Sequence, residues 1–143
     1  VSAYQHSREM SGVFQVACTA AAGVSLTELE AAIRAAVAHL ASDGVTDAEL
    51  ERALAQTEAQ FIYRLQTVGG FGGKSDQLNA YNTFVGDPGY FERDRERYVN
   101  VTSKAVALAV SSWLVKAPSV SLSVVPRGRR ELALPGAAEV SVS

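Results

Sequence analysis

SLTELEAAIRAAVAHLASDGVTDAELERALAQTEAQFIYRLQTV, residues 25–68, holds two helix starts and one helix stop. Ser25 with Glu28 three positions later is a capping box: the serine hydroxyl accepts from the third free amide and the glutamate reaches back to the amide of the cap. Leu29, Ile33, Ala36, Val37 and Leu40 then recur at steps of three and four, which puts them on one stripe of a helix. Gly44 ends that helix, because glycine takes the left-handed backbone that releases the chain from its last turn. Thr46 with Glu49 is a second capping box, and Val45 with Leu50 has the spacing of a hydrophobic staple. The second helix carries the stripe Leu50, Ala53, Leu54, Phe61, Leu65 and Val68, with Glu49, Glu51, Arg52, Glu58 and Arg64 around the rest of its surface.

Upstream, Val1–Gln5 and Val13–Cys18 are short runs rich in β-branched and aromatic residues, separated by the polar stretch His6–Gly12, and read as a β-hairpin. A hairpin is not stable alone, so it needs further strands or helices packed across it. Downstream, the glycine cluster Gly69, Gly70, Phe71, Gly72, Gly73 interrupts helical periodicity. A third helix is expected over Asp76–Val85, burying Leu78, Tyr81, Phe84 and Val85, with Gly86 as its stop. Asp87 before Pro88 is an N-cap signal for a fourth helix over Gly89–Val99, with Tyr90, Phe91 and Tyr98 as its apolar contacts. Thr102 caps a fifth, through Lys104 to about Val115, burying Val106, Ala109, Val110, Trp113 and Leu114. After Pro118, Val120, Leu122 and Val124 alternate with Ser119, Ser121 and Ser123 as a half-buried strand does. The order predicts an α+β fold: an incomplete β-sheet, made of the N-terminal hairpin plus a late strand, covered by about five helices. Residues 1–126 form the domain part, and 127–143, with a basic turn, a Leu-Ala-Leu-Pro-Gly run and Glu139–Ser143, form a C-terminal linker, tail or edge strand. Three strands are few for so many helices, which places the partner strands upstream of Val1.

The composition is that of one ordinary globular domain: 143 residues, 48% hydrophobic and 20% charged. The formal charge of -2, from 13 basic and 15 acidic residues spread along the chain, gives no basic excess for nucleic acid. Apolar runs are broken by charge or serine every few residues, which leaves no membrane span and no signal peptide in this stretch. The compartment stays open, since the lone Cys18 says little about redox surroundings. Val1 opens directly inside a strand-like run, as expected of a processed product or a piece of something longer.

Chemistry-bearing constellations are sparse. His6 falls in the hairpin turn and His39 near the end of the first helix, where an imidazolium would favour the helix dipole; neither has a second histidine at metal-ligand spacing. Cys18 ends an apolar strand with no adjacent positive charge and reads as an inert thiol. Glu28 and Glu30, like Glu49 and Glu51, are two apart on helices and diverge. There is no G-x-S-x-G elbow. Gly73-Lys74-Ser75 has the end of a P-loop, but it follows a helix and lacks the G-x-x-x-x-G-K frame, so a flexible connection between helices is the better reading. The mixed-sign run Glu92-Arg93-Asp94-Arg95-Glu96-Arg97 is a solvated helix face. No catalytic or metal residue is assigned, and the substrate-binding residues stay unknown.

Taken together, Ser11-Gly12-Val13-Phe14-Gln15-Val16, Gly44 to Ala53, Gly73 to Tyr81, Gly86-Asp87-Pro88, Tyr98 to Thr102 and Ser121 to Pro126 resemble the insulinase or pitrilysin family of zinc metallopeptidases, the inverzincins. The likeness covers about Val1 to Arg127 and is to the C-terminal half of one α/β repeat domain. It implies a zinc-dependent endopeptidase whose homologous domains form a two-halved chamber around an extended substrate, with zinc on an inverted His-x-x-Glu-His motif and a distant glutamate. This sequence has no His-x-x-Glu-His, so the zinc would belong to the parent protein or a partner, and this chain alone is expected to be inactive. The family's substrate-gripping arginine and tyrosine carry over to neither Tyr4 nor Arg8, because the surrounding motif is absent. Any substrate contact would follow the family's edge-strand mode, with peptide added to the sheet.

The reading that follows is a non-catalytic portion of a zinc-dependent metalloendopeptidase, contributing chamber wall and domain interface. Its partners would be the remaining half-domain, homologous domains or a catalytic partner subunit, and peptide substrate through the parent, with no nucleic acid and no membrane. Two alternatives stand beside it: a non-catalytic paralogue subunit supporting an active peptidase partner, and an independent α+β interaction module that makes contact through the Phe71 loop or the Val1 strand.

Overall fold

The structure, a computed structural model describing residues 1–138, closes both capping boxes. The Ser25 amide donates to Glu28 Oε2 at 2.9 Å and the Glu28 amide to Ser25 Oγ at 3.2 Å, starting helix α1, Leu26–Asp43. The Thr46 amide donates to Glu49 Oε2 at 2.9 Å and the Glu49 amide to Thr46 Oγ1 at 3.3 Å, starting α2, Asp47–Gln66. Between them Gly44 sits at φ 74, the left-handed conformation expected of the stop, and a Cβ there would lie 2.7 Å from Ser103 Oγ.

The remaining elements are strands β1, Ser2–Ser7, and β2, Gly12–Ala17, and helices α3, Lys74–Val85, α4, Phe91–Val99, and α5, Ser103–Val110. β1 and β2 pair antiparallel, with Ser2 opposite Ala17, Tyr4 opposite Gln15 and His6 opposite Val13. Among the described residues the fold is thus α+β, five α-helices with a two-stranded antiparallel sheet. The chain divides into two units, one formed by Val1–Ser42 with the chain from Ala109 onward, the other by Asp43–Leu108.

In the first unit, a single π-helical turn, Ser111–Val115, continues α5 and is closed by the Lys116 amide on the Ser111 carbonyl at 3.1 Å. Val110 is buried and Leu114 half-buried, but Trp113, expected inside, is 75% exposed, with no described element covering it. The late strand does not form: residues 120–124 have no ladder partner among the described residues. The alternation does not sort two faces there: Ser121 is exposed like the apolar residues beside it, and Ser123 is half-buried. Ser121 Oγ bonds Glu30 Oε1 at 2.9 Å and Ser123 Oγ accepts the Leu134 amide at 3.2 Å, while Val120, Leu122 and Val124 face outward. A strand exists through its neighbour's backbone, and this segment has none. Arg130–Leu132 forms a short 3-10 turn beside an Arg129–Glu131 ion pair. Glu139–Ser143 lies outside the described residues.

In the second unit, Phe61 of α2 is buried against Phe91 and Tyr98 of α4, edge to face, with ring centroids at 5.7 Å and 5.3 Å. Arg95 bridges Glu58 at 2.9 Å across the same pair of helices. α3 buries only Tyr81; Leu78, Phe84 and Val85, expected on its inner side, are exposed, as is Val68 after α2. Gly86 ends α3 at φ 74 with its amide on the Asn82 carbonyl. Asp87 does not cap α4. Its Oδ1 accepts the Gly89 amide at 2.8 Å, two residues on, and its carbonyl accepts the Tyr90 amide, so Asp87-Pro88 makes a turn and the helix starts at Phe91 instead of Gly89. Thr102 does cap α5, accepting the Ala105 amide at 3.2 Å.

Candidate functional site

The glycine cluster is a hydrogen-bonded connection between α2 and α3. The Gly73 amide bonds the Gly70 carbonyl, the Lys74 amide the Thr67 carbonyl, the Ser75 amide the Val68 carbonyl, and the Gly72 amide Asp76 Oδ2 at 2.9 Å. Amides that would cradle a phosphate are thereby satisfied from within the chain, and the carboxylate of Asp76 is the anion the loop receives. Gly70 and Gly72 hold positive φ on either side of Phe71, whose ring stands fully in solvent. At Gly73 a Cβ would meet the carbonyl oxygens of Gly69 and Thr67 at 2.8 and 2.9 Å, so the bend admits no side chain.

The histidines are not brought together into a site. His6 lies within β1, which runs two residues beyond the Gln5 end expected from the sequence, its ring edge-on to Tyr4 at 4.7 Å. His39 is on the exposed face of α1, and its carbonyl accepts from Ser42 Oγ at 3.0 Å. Cys18 is half-buried just beyond β2. The Arg8 amide closes the hairpin turn on the Ser11 carbonyl. Among the described residues, no three His, Cys, Asp or Glu side chains are grouped to hold a metal ion. The residues present therefore do not fit a zinc centre, and no chemical step is derived through one.

The second unit contains a polar arrangement that the sequence did not announce. Tyr81 Oη donates to Asp94 Oδ2 at 2.9 Å and accepts from Gln77 Nε2 at 2.8 Å. Burial, reinforced by the Asp94 carboxylate, pushes the Tyr81 hydroxyl up to about 12, so it stays a neutral donor. Asp94 Oδ1 also pairs with Arg97 at 3.2 Å, and Gln77 Oε1 is buried with no partner. Beside this network Thr57, Gln60, Phe61 and Arg64 of α2 and Asp94 and Tyr98 of α4 line a cleft of about 180 Å³. On α2 those residues fall at i, i+3, i+4 and i+7, one helical face, and on α4 at i and i+4. Phe61 and Tyr98 in this set were legible beforehand, as apolar contacts of their helices. The others are polar positions whose meaning depends on which helices pack.

Residues 1–57 match the family model described as the Peptidase M16 inactive domain, a span covering β1, β2, α1 and the first half of α2. No curated protein and no solved structure matches the chain significantly. The match supports the insulinase/pitrilysin-type resemblance, for that family's C-terminal domain, and with it a non-catalytic part of an M16 peptidase that associates with other domains or subunits. No helix among the described residues is long and apolar enough to cross a membrane.

Proposed function

We propose that this chain is a non-catalytic portion of a zinc-dependent metalloendopeptidase and forms chamber wall and domain interface. The observation that carries the reading is the inactive-domain match over residues 1–57. Two features of the first unit support it. The sheet has only two strands, and residues 120–124 have strand patterning with no ladder partner among the described residues, so further strands have a place to pair. Residues 1–126 act in this reading as the second half of a peptidase domain, and residues 127–143 as its C-terminal linker or tail. Zinc and the water it activates belong to another domain or a partner subunit, because the described residues offer no ligand group.

The experiment compares zinc content and peptide hydrolysis for this chain, for the longer polypeptide that contains it, and for that polypeptide lacking residues 1–126. Zinc bound by the longer protein but not by this chain, with hydrolysis lost on deletion, is the expected result. Stoichiometric zinc on the 143-residue chain, or undiminished hydrolysis after deletion, overturns the reading. Longer protein that binds no zinc unless a separate catalytic subunit is added would identify the non-catalytic paralogue instead.

A further inference from the structure

The cleft between α2 and α4 has a use of its own, independent of the peptidase reading. Its floor is Phe61, buried and met by two ring contacts, so the walls stand on two helices joined through that cluster. Three hydrogen-bond donors on the walls, the Gln60 amide, the Arg64 guanidinium and the Tyr98 hydroxyl, have no hydrogen-bond or ion-pair partner among the described residues. This contrasts with their neighbours. Arg95 is held by Glu58 and Glu92, Arg97 by Asp94, and Arg93 lies over the Tyr90 ring. The one anion lining the cleft, Asp94, is already engaged by the Tyr81 hydroxyl and Arg97.

We propose that this cleft binds a carboxylate group, held by Arg64 with Gln60 and Tyr98. A guanidinium presents parallel N–H donors that match a planar carboxylate. The engaged but still negative Asp94 disfavours a dianion such as phosphate more than a monoanion. A volume of about 180 Å³ admits one carboxyl group with its adjoining carbons, not a folded ligand. Such a carboxylate could belong to a chain terminus or to an acidic side chain. Because Arg64 is solvent-exposed, binding is weak, with dissociation constants on the order of 1 mM.

The test is a nitrogen-15 NMR titration of the 143-residue chain with four probes: acetyl-Ala-Ala-Ala carrying a free C-terminus, acetyl-Ala-Glu-Ala-amide, acetyl-Ala-Ala-Ala-amide and inorganic phosphate. Saturable shifts at the Arg64 Nε–H and the Gln60 amide with one or both carboxylate peptides, and none with the neutral amide, are expected. The tighter of the two carboxylate peptides identifies the source. Arg64→Gln, a substitution on an exposed helix face, should weaken binding at least fivefold with the amide spectrum otherwise retained. Tyr98→Phe, which keeps the ring against Phe61, should weaken it about twofold or more. Absence of saturable shifts at the cleft, equal response to the neutral amide, tighter binding of phosphate than of either carboxylate, or unchanged affinity in Arg64→Gln would overturn the proposal.

Discussion

Replacing Phe61 with alanine tests the centre of the second unit. The ring is 7% exposed and meets two other rings, Phe91 and Tyr98, both edge to face. A buried phenylalanine removes roughly 150–200 Å² from water, which at about 25 cal/mol per Å² is about 4–5 kcal/mol, less what the alanine methyl retains. Each aromatic pair adds about 0.5–1.5 kcal/mol. The site borders an open cleft, so water and the Tyr98 ring can partly refill the space, and we expect a net cost of about 3–4 kcal/mol. Urea denaturation followed by helical circular dichroism reads it: with a slope of about 1.5 kcal/mol per M, the midpoint falls by about 2 M. Phe61→Leu, which keeps most of the area but neither ring contact, should cost about 1–2 kcal/mol. A double-mutant cycle with Phe91→Leu should return about 0.5–1.5 kcal/mol of coupling. A loss under 1 kcal/mol for Phe61→Ala, or no coupling, would refute the assignment of this cluster as the core that joins α2 to α4.

Tyr81→Phe strands Asp94 Oδ2 and Gln77 Nε2 and should cost about 1–3 kcal/mol by the same denaturation assay. The tyrosine's folded value, about 12, lies above its ordinary one, so its contribution is complete below pH 10 and lost as pH rises towards 12; the phenylalanine variant should lack that alkaline decline. Thr46→Ala removes the hydroxyl half of a closed capping box and should lower stability by about 1 kcal/mol, with α2 amides near its start exchanging faster. Gly44→Ala forces a side chain into a left-handed backbone and against Ser103 Oγ, whose 2.6 Å bond to the Val45 carbonyl must give way; a loss of about 1–2 kcal/mol in thermal unfolding is expected. In native-state hydrogen exchange the α2 amides around Phe61 should be the most protected, and the amides of residues 119–125 should exchange at nearly the unfolded rate.

Where local chemistry determined the outcome, the sequence was readable. Ser25–Glu28, Thr46–Glu49 and Thr102 each offer a side-chain acceptor to an amide within three residues, and each does so in the structure. Gly44 and Gly86 stop helices for an equally local reason. Asp87 shows the limit of such signals: the same carboxylate can cap a helix or close a two-residue turn, and the turn wins here. Burial was less legible because it depends on what packs against a stripe. Leu78, Phe84 and Trp113 satisfy helical periodicity and still face solvent, since no described element covers them. The Tyr81–Asp94 bond spans 13 positions and two helices, and no spacing rule reaches that far. The walls of the cleft share that difficulty: Gln60 and Arg64 look like ordinary surface residues until α2 and α4 are set side by side.

The two units differ in how far their surfaces are satisfied from within. In the second, aromatic rings meet rings, Arg95 meets Glu58 and the Tyr81 hydroxyl meets Asp94, so its helices are held by contacts among themselves. In the first, Val120, Leu122 and Val124 are 97, 77 and 85% exposed while the exposed Ser121 bonds Glu30 and the half-buried Ser123 accepts the Leu134 amide. Outward valine and leucine on a segment with no backbone pairing is an arrangement a free-standing fold avoids, because it joins exposed apolar area to unused strand edges. Nor does the hairpin bury a face, since apart from the half-buried Val16 its residues are exposed. The alternation at 119–124 nevertheless has the period of a sheet, and what it lacks is a neighbour able to supply backbone donors and acceptors together with apolar side chains. A paired neighbouring strand would supply both. Among the described residues, the part of the molecule left unsatisfied is therefore its sheet and not its helices.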